Sequence, residues 1–135
     1  MNKKILIIGK KSFIGSNLFK FLIKKKVKVS LSSYINFLNN YKSFDNKFNF
    51  IINCSSNIKF IKNKYDTKND NDLIIAKKIL NSKTKLVTLS SRKVYKPKFN
   101  IKEGDKKKPN CNYSKNKLAS EILVKKILKD KSLIL

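Results

Sequence analysis

Residues 1–23 read MNKKILIIGKKSFIGSNLFKFLI, in which a short apolar run, two glycines and a helical pattern follow one another. The run ILII at 5–8 is typical of a strand that is buried on both faces of a parallel sheet. Gly9 and Gly15 come next, and the apolar residues at 14, 18, 21 and 22 share one face of a helix. A strand, a glycine turn and a helix N-terminus favour two bound phosphates, because the free N–H groups and the helix dipole both attract an anion.

The glycine turn departs from the usual pattern at its middle position. Gly9, Ser12 and Gly15 have the spacing of a G-x-x-G-x-x-G turn in which serine replaces the second glycine. A Cβ atom at this position can hold the backbone away from a phosphate. The turn therefore has two interpretations, a pyrophosphate-binding turn or an ordinary strand-to-helix turn with two glycines. Its place directly after a predicted strand favours the first.

Length and cysteine content indicate the class of protein. The 135 residues suit one domain, 1–135, with a single core. The apolar run after Lys3 and Lys4 is too short for a signal peptide, and no stretch approaches the ~20 apolar residues of a membrane span. Cys54 and Cys111 are far apart and the chain has no histidine, so we predict no metal site and a reducing, cytoplasmic location.

The net charge of +25 comes almost entirely from lysine, since Arg92 is the single arginine. Nucleic-acid-binding proteins usually employ arginine for bidentate contacts to bases and phosphates. Asparagine, isoleucine and phenylalanine are abundant beside lysine, and A/T-rich codons explain all four together. A nucleic-acid-binding protein is therefore the less favoured alternative, although the charge favours anionic partners in general.

The rest of the chain alternates predicted strands with predicted helices. The strands cover residues 27–31, 48–54, 85–89 and 132–135, and the helices cover 34–44, 73–80 and 114–129. Residues 57–70 and 96–112 are predicted to be loops. This order predicts an α/β, Rossmann-like parallel sheet with helices on both faces.

The end of the second strand bears on the choice of cofactor. In dinucleotide folds an acid at this place binds the adenosine ribose. Residues 30–33 read SLSS, without a carboxylate. Hydroxyl groups here, with Lys10 and Lys11 in the glycine turn, suit a ribose 2′-phosphate, unless these lysines are merely two of many. We therefore predict NAD or NADP, with a lean toward NADP.

Four segments in order carry a family pattern over essentially the whole chain. They are ILIIGKKSFIGSNL at 5–18, FIINCSS at 50–56, LSSRKVY at 89–95, and Glu103-x-Asp105-x-x-x-Pro109-x-x-x-Tyr113-x-x-x-Lys117-x-x-x-Glu121. Together they resemble the extended short-chain dehydrogenase/reductase family, which includes sugar-nucleotide epimerases, dehydratases and 4-keto reductases. Both glutamates of the chain fall at positions of this pattern.

The resemblance implies a catalytic site made of Ser91, Tyr113 and Lys117. Hydride transfer at a sugar carbon requires a proton to leave or join the adjacent oxygen, and a tyrosine hydroxyl can carry it. A lysine one helical turn later favours the phenolate form that such a tyrosine needs. Taken singly, the three residues also fit a turn-capping serine, a packed tyrosine and a solvated lysine.

The resemblance also implies which residues contact the cofactor. They are Gly9, Lys11, Ser12, Phe13, Ile14, Gly15, Asn53, Ser55, Tyr113 and Lys117. Lys96 departs from the pattern, since the family usually has glycine there, and the family's third strand is missing. Because the chain ends at the strand after the active-site helix, we expect the fold to be incomplete and to lack the C-terminal substrate domain.

The predicted function is that of an NAD(P)-dependent enzyme that modifies a nucleotide sugar, as an epimerase, dehydratase or reductase. The resemblance further implies a homodimer through the helices at about 70–82 and 114–129. A non-catalytic dinucleotide-binding remnant, or one half of a split enzyme, remains an alternative.

Overall fold

A computed structural model describes residues 3–135, so the first two positions of the predicted domain lie outside the described residues. The strands are β1 (Lys4–Ile8), β2 (Lys28–Ser32), β3 (Phe50–Asn53), β4 (Lys85–Thr88) and β5 (Ser132–Ile134). The helices are α1 (Phe13–Lys24), α2 (Tyr34–Phe44), α3 (Ile58–Lys62), α4 (Asn71–Lys78) and α5 (Asn112–Leu128). Short 3-10 turns cover Thr67–Asn69, Arg92–Val94 and Lys129–Lys131.

The five strands form one parallel sheet in the order β2-β1-β3-β4-β5. The predicted α/β, Rossmann-like parallel sheet is therefore confirmed. The chain runs from β1 to β2 in one direction and from β3 to β5 in the other. The direction reverses between β1 and β3, which is where open parallel sheets bind ligands beyond the carboxyl ends of their strands.

The direction of each connection decides on which face its helix packs, because such crossovers are almost always right-handed. The α1 connection runs opposite to those of α2, α4 and α5, so α1 covers the other face of the sheet. The main core lies between the sheet and the helices α2, α4 and α5. Its buried members are Leu6, Ile8, Phe37, Ile51, Leu73, Ile75, Ala76, Ile79, Leu86, Val124 and Leu128. In β1 the neighbouring Ile7, also buried, points to the α1 side.

The prediction of a loop over 57–70 is wrong in part, because α3 and the turn Thr67–Asn69 lie within it. The Asn57 side chain caps α3 by accepting from the Lys59 N–H at 2.9 Å. Asn116 of α5 donates to the carbonyl groups of Phe60 and Asn63, at 2.7 and 2.9 Å. Contacts with a helix more than fifty residues away stabilise this segment, and local periodicity does not show them.

The segment between β4 and α5 is irregular, as predicted, but it is held in place. Tyr95 forms an isolated antiparallel bridge with Lys107. The backbone N–H of Lys108 donates to the Val94 carbonyl at 2.9 Å. In the part of the chain that the structure describes, no helix combines the length and the apolar character needed to cross a membrane.

Phe37 of α2 is 1% exposed and packs in the core against the sheet, so its substitution tests the assigned core. We expect Phe37→Ala to lower the free energy of unfolding by about 3–5 kcal/mol, because a large cavity replaces the ring. Phe99→Ala is the matched control: Phe99 is 96% exposed, and its loss should change the value by less than about 0.5 kcal/mol. Urea denaturation measures both. Equal effects would contradict the assigned core.

Candidate functional site

The glycine turn after β1 approaches the backbone of the β3 end so closely that it admits no side chain. Gly9 has a φ of 127°, in the region that favours glycine, and a Cβ there would lie 2.9 Å from the Cys54 carbonyl carbon. A Cβ on Gly15 would lie 2.6 Å from the Gly9 carbonyl oxygen. Both glycines are thus required for α1 to begin directly beside the ends of β1 and β3.

Ser12, at the middle position of the turn, caps α1. Its hydroxyl accepts from the Gly15 N–H at 3.3 Å, and its carbonyl accepts from the Ser16 N–H at 2.9 Å. The N–H groups of Phe13 and Ile14 in the first helical turn have no acceptor among residues 3–135. The serine therefore takes one N–H of the helix N-terminus and leaves two for an anion.

An open cleft of about 790 Å³ lies at the carboxyl ends of β1, β2 and β3. Its lining is Gly9, Lys10, Lys11, Ser12, Ser33, Tyr34, Ile35, Cys54, Ser55, Ser56, Asn57 and Asn71. Four of the predicted cofactor residues, Gly9, Lys11, Ser12 and Ser55, line it together. Phe13 and Ile14 begin α1 beside the turn, with side chains 83% and 54% exposed. The glycines, the free N–H groups and the lysines fit the diphosphate of a dinucleotide.

The hydroxyl groups at the end of β2 are engaged in local hydrogen bonds. Ser33 caps α2 by accepting from the Asn36 N–H at 3.1 Å. Ser32 is buried, and its hydroxyl donates to the Ser33 carbonyl at 3.1 Å and accepts from the Asn36 side chain at 2.8 Å. Ser33 lines the cleft while Ser32 lies behind it, so Ser33 is the serine of this pair that borders the cleft.

Asn53, a predicted cofactor residue, lies inside the wall of the cleft. Its amide nitrogen donates to the Asp72 carboxylate at 2.6 Å and to the Ser55 carbonyl at 3.4 Å. Its amide oxygen accepts from the Ser55 N–H at 3.0 Å and from the Ser55 hydroxyl at 2.7 Å. The side chain is buried with its hydrogen-bonding groups used, so it supports Ser55 and does not reach the cleft.

Lys117 lies just behind the same wall. Its ammonium group donates to the Leu89 carbonyl, beyond the end of β4, at 2.7 Å. It lies 3.5 Å from the Asp72 carboxylate and 5.6 Å from the centre of the Phe60 ring. A small pocket of about 10 Å³ brings it together with Ser55 and Asp72. The lysine is therefore next to the predicted cofactor residues, but it is ion-paired within the protein.

The other two predicted catalytic residues, Ser91 and Tyr113, do not line the cleft beside the glycine turn. Ser91 begins the turn Arg92–Val94, and its hydroxyl accepts from the Lys93 N–H at 3.2 Å. It lines a separate cleft of about 400 Å³ at the ends of β4 and β5. Tyr113 is half-buried in the first turn of α5, one turn before Lys117, and within the described chain it lines neither cleft.

Glu121 holds the second cleft together. Its carboxylate accepts from the Ser90 hydroxyl and forms an ion pair with Lys107 at 2.9 Å. The side chain is 11% exposed. Glu121 thereby joins α5 to the segment after β4 and to the irregular loop, which gives this member of the sequence pattern a structural role.

Burial and the charges of Asp70 and Asp72 shift the pKa values of several groups around the cleft wall. Burial raises the pKa of the Asp72 carboxyl above its ordinary value, with Lys117 and Asn53 opposing part of the rise. Burial, with Asp70 and Asp72, raises the pKa of Tyr34 to about 12. The Tyr34 hydroxyl is buried without a hydrogen-bond partner among residues 3–135. Burial also raises the pKa of the Cys54 thiol.

Sequence reasoning missed Tyr34, Ile35, Asn57 and Asn71 as cleft residues and Asp72 as the partner of Lys117. Tyr34 carried a usable signal, since it comes two residues after the strand that ends at the predicted ribose site. Asp72 carried only the signal of an acid near a helix start. Among residues 3–135, no group of three or more His, Cys, Asp or Glu side chains is placed to hold a metal ion.

Comparison with known proteins gives similarity to solved structures alone. No protein-family model and no curated protein matches the chain. A dTDP-4-dehydrorhamnose reductase from Clostridium acetobutylicum is 27% identical, with a TM-score of 0.68 over 97% of this chain and 51% of that one. A UDP-N-acetylglucosamine 4-epimerase from Methanobrevibacter ruminantium, in complex with UDP-N-acetylmuramic acid, is 16% identical, with a TM-score of 0.76 over 98% and 54%. MoeE5, in complex with UDP-glucose and NAD, is 19% identical, with a TM-score of 0.73 over 97% and 51%.

The chain has the Rossmann-like fold of these enzymes. The resemblance to the extended short-chain dehydrogenases/reductases is thus confirmed in its fold. The chain spans about half the length of the solved structures that it matches.

The glycine turn yields a test with a matched control. We expect Gly9→Ala to destabilise the protein by about 1–3 kcal/mol, since the alanine must adopt a strained backbone conformation and meets the Cys54 backbone. Gly104→Ala should have little effect, because no atom lies within 4 Å of its new Cβ. Thermal unfolding followed by circular dichroism compares the two. A Gly9→Ala protein as stable as Gly104→Ala would contradict the close approach.

The two thiols should differ in their pH dependence. Hydrogen bonds with Ser114 lower the pKa of the exposed Cys111 thiol, whereas burial and Asp72 raise the pKa of Cys54. We expect iodoacetamide to modify Cys111 first near pH 7 and Cys54 only at higher pH, since the thiolate is the reactive form. Mass spectrometry of peptides sampled over time measures both rates. Faster modification of Cys54 at pH 7 would contradict the described wall.

Proposed function

We propose that this chain binds NAD or NADP in the cleft beside α1 and acts with it on a nucleotide sugar. The observation that carries the proposal is the pair of glycines at the point where the sheet reverses direction. They bring the two free N–H groups of α1 against the ends of β1 and β3. This is the arrangement that a diphosphate needs.

The cleft provides a place for each part of the cofactor. The diphosphate would lie against the N–H groups of Phe13 and Ile14, with Lys10 and Lys11 beside it. The adenosine would lie toward the end of β2, between Ser33 and the loop after β3. The lysines and the absence of a carboxylate at residues 30–33 favour NADP, and the neighbour solved with NAD keeps NAD open.

The proposed reaction uses Tyr113, Lys117 and Ser91. The bound nicotinamide supplies or accepts a hydride. Tyr113 would carry the proton of the sugar hydroxyl, Lys117 would favour the phenolate, and the Ser91 hydroxyl would hold the substrate oxygen. Support comes from the position of Lys117 behind the cleft wall and of Ser91 at the end of β4. The UDP-glucose bound in the solved MoeE5 structure suggests the class of sugar.

A non-catalytic dinucleotide-binding protein is the second candidate. It is favoured by the ion pair between Lys117 and Asp72, which also suits a purely structural lysine. Under either candidate, a homodimer through α4 and α5 is a further proposal, supported by the exposed Ile122 on α5.

Cofactor binding can be tested through Cys54, which lines the cleft. In a Cys111→Ser background, we expect saturating NADP or NAD to slow alkylation of Cys54 at least about fivefold, because the diphosphate covers the turn. Titration with each cofactor ranks their affinities. Duplex DNA at equal phosphate concentration serves as the control and should give no protection. Protection by DNA but not by dinucleotide would support the nucleic-acid-binding alternative instead.

Catalysis is tested by Tyr113→Phe, which removes one hydroxyl from a half-buried residue. We expect turnover of a nucleotide sugar such as UDP-glucose to fall by about 10²–10⁴-fold, the usual contribution of a general acid or base. Cofactor protection of Cys54 should stay unchanged. Binding without turnover in the parent chain would favour the non-catalytic candidate.

A further inference from the structure

A chain of hydrogen bonds runs from the cleft wall to Asp72, which forms an ion pair with Lys117. Asn71, which lines the cleft, donates to the Ser55 hydroxyl at 3.0 Å. Ser55 donates to Asn53, and Asn53 donates to Asp72 at 2.6 Å. Asp72 then meets the Lys117 ammonium group at 3.5 Å. The predicted catalytic lysine is therefore held by the same side chains that shape the cofactor cleft.

Asp72 is a nearly buried carboxylate near the start of α4. It is 6% exposed in the first turn of α4. It does not cap the helix, since Asp70 does so by accepting from the Leu73 N–H at 3.0 Å. A buried carboxylate is costly unless it is paired. Its contacts with Asn53 and Lys117 supply that pairing, so the side chain acts on the lysine and not on the helix.

We propose that Asp72 is a positioning residue. It holds the Lys117 ammonium group against the end of β4, and its negative charge offsets part of the effect of the lysine charge on Tyr113. The inference rests on the proposed function of Lys117. The Leu89 carbonyl and Asp72 together fix the ammonium group at one place. Because a carboxylate beside the lysine offsets its field, the lysine acts less strongly on a neighbouring group than an unpaired lysine would.

The other ionisable groups around Asp72 come from each element packed against it. Asp70 lies two residues earlier, and Tyr65 donates to it at 2.7 Å. Tyr34 of α2 and Cys54 beyond β3 are both influenced by Asp72. Lys117 is the single cation that the structure brings within 4 Å of Asp72 among residues 3–135. The pocket thus contains two acids and one lysine, and Asp72 is the acid that offsets part of the lysine charge.

The test measures ionisation of Tyr113 in the whole chain without any substrate. The five tyrosines can be followed by NMR of ¹³Cζ-labelled protein, and Tyr113→Phe identifies the resonance of Tyr113. We expect Asp72→Asn to move the midpoint of the Tyr113 titration down by about half a pH unit or more, because the lysine charge is no longer offset. Lys117→Met should move the midpoint up.

Asp70→Asn is the matched control, since Asp70 is also buried but bonds to Tyr65, Ser120 and the Leu73 N–H and not to Lys117. Its effect on the Tyr113 midpoint should be smaller than that of Asp72→Asn. A purely structural Asp72 would change stability and leave the midpoint in place, which would overturn the proposal. If Asp72→Asn does not fold, Asp72→Ser is used instead, and it should also move the midpoint of the Tyr113 titration down.

The outcomes separate this inference from the proposed function. If Lys117→Met raises the midpoint and Asp72→Asn leaves it unchanged, Asp72 does not act on the lysine, while the proposed site stands. If neither variant moves the midpoint, Lys117 does not influence Tyr113, and both the inference and the catalytic proposal fail. Protection of Cys54 by the dinucleotide is independent of both and reports on the cleft alone.

Discussion

The close approach of the glycine turn to the end of β3 is the constraint on which the rest of the structure depends. Gly15 stands against the Gly9 carbonyl, and Gly9 against the Cys54 backbone, with no room for a Cβ on either glycine. This contact sets where α1 begins relative to two neighbouring strands. The cleft, its two free N–H groups and its lysines all follow from that placement. Ser12 is compatible with it because its hydroxyl turns to the helix.

Behind the cleft, polar side chains form a second layer that supports the first. Asn53, Ser55 and Asn71 bond to one another, and Asp72 continues the layer to Lys117. Buried polar groups of this kind are stable only when their partners are all in place. Changes in the wall and changes at the lysine are therefore coupled, which joins a binding surface to a candidate catalytic group.

The sequence predicted the location of some residues of the candidate site correctly and misplaced others. Gly9, Lys11, Ser12 and Ser55 were expected together and line one cleft, because residues that follow parallel strands meet at the same edge of the sheet. Asn53 was expected in the cleft as well, but it turns inward to a carboxylate on α4. The direction of a side chain at a strand end depends on which partner lies nearby, and that partner is nineteen residues away in the sequence.

Local sequence alone determined the five strands, the four helices other than α3 and the glycine turn, since hydrophobic period and glycine conformation are properties of neighbouring residues. The α2 bounds agree with the prediction for the same reason. Only the tertiary structure decided that residues 58–62 form α3 and that Lys117 pairs with Asp72, because in each case the partners come from distant segments. Ion pairs and burial arise when the helices pack against the sheet, and local sequence patterns do not predict them.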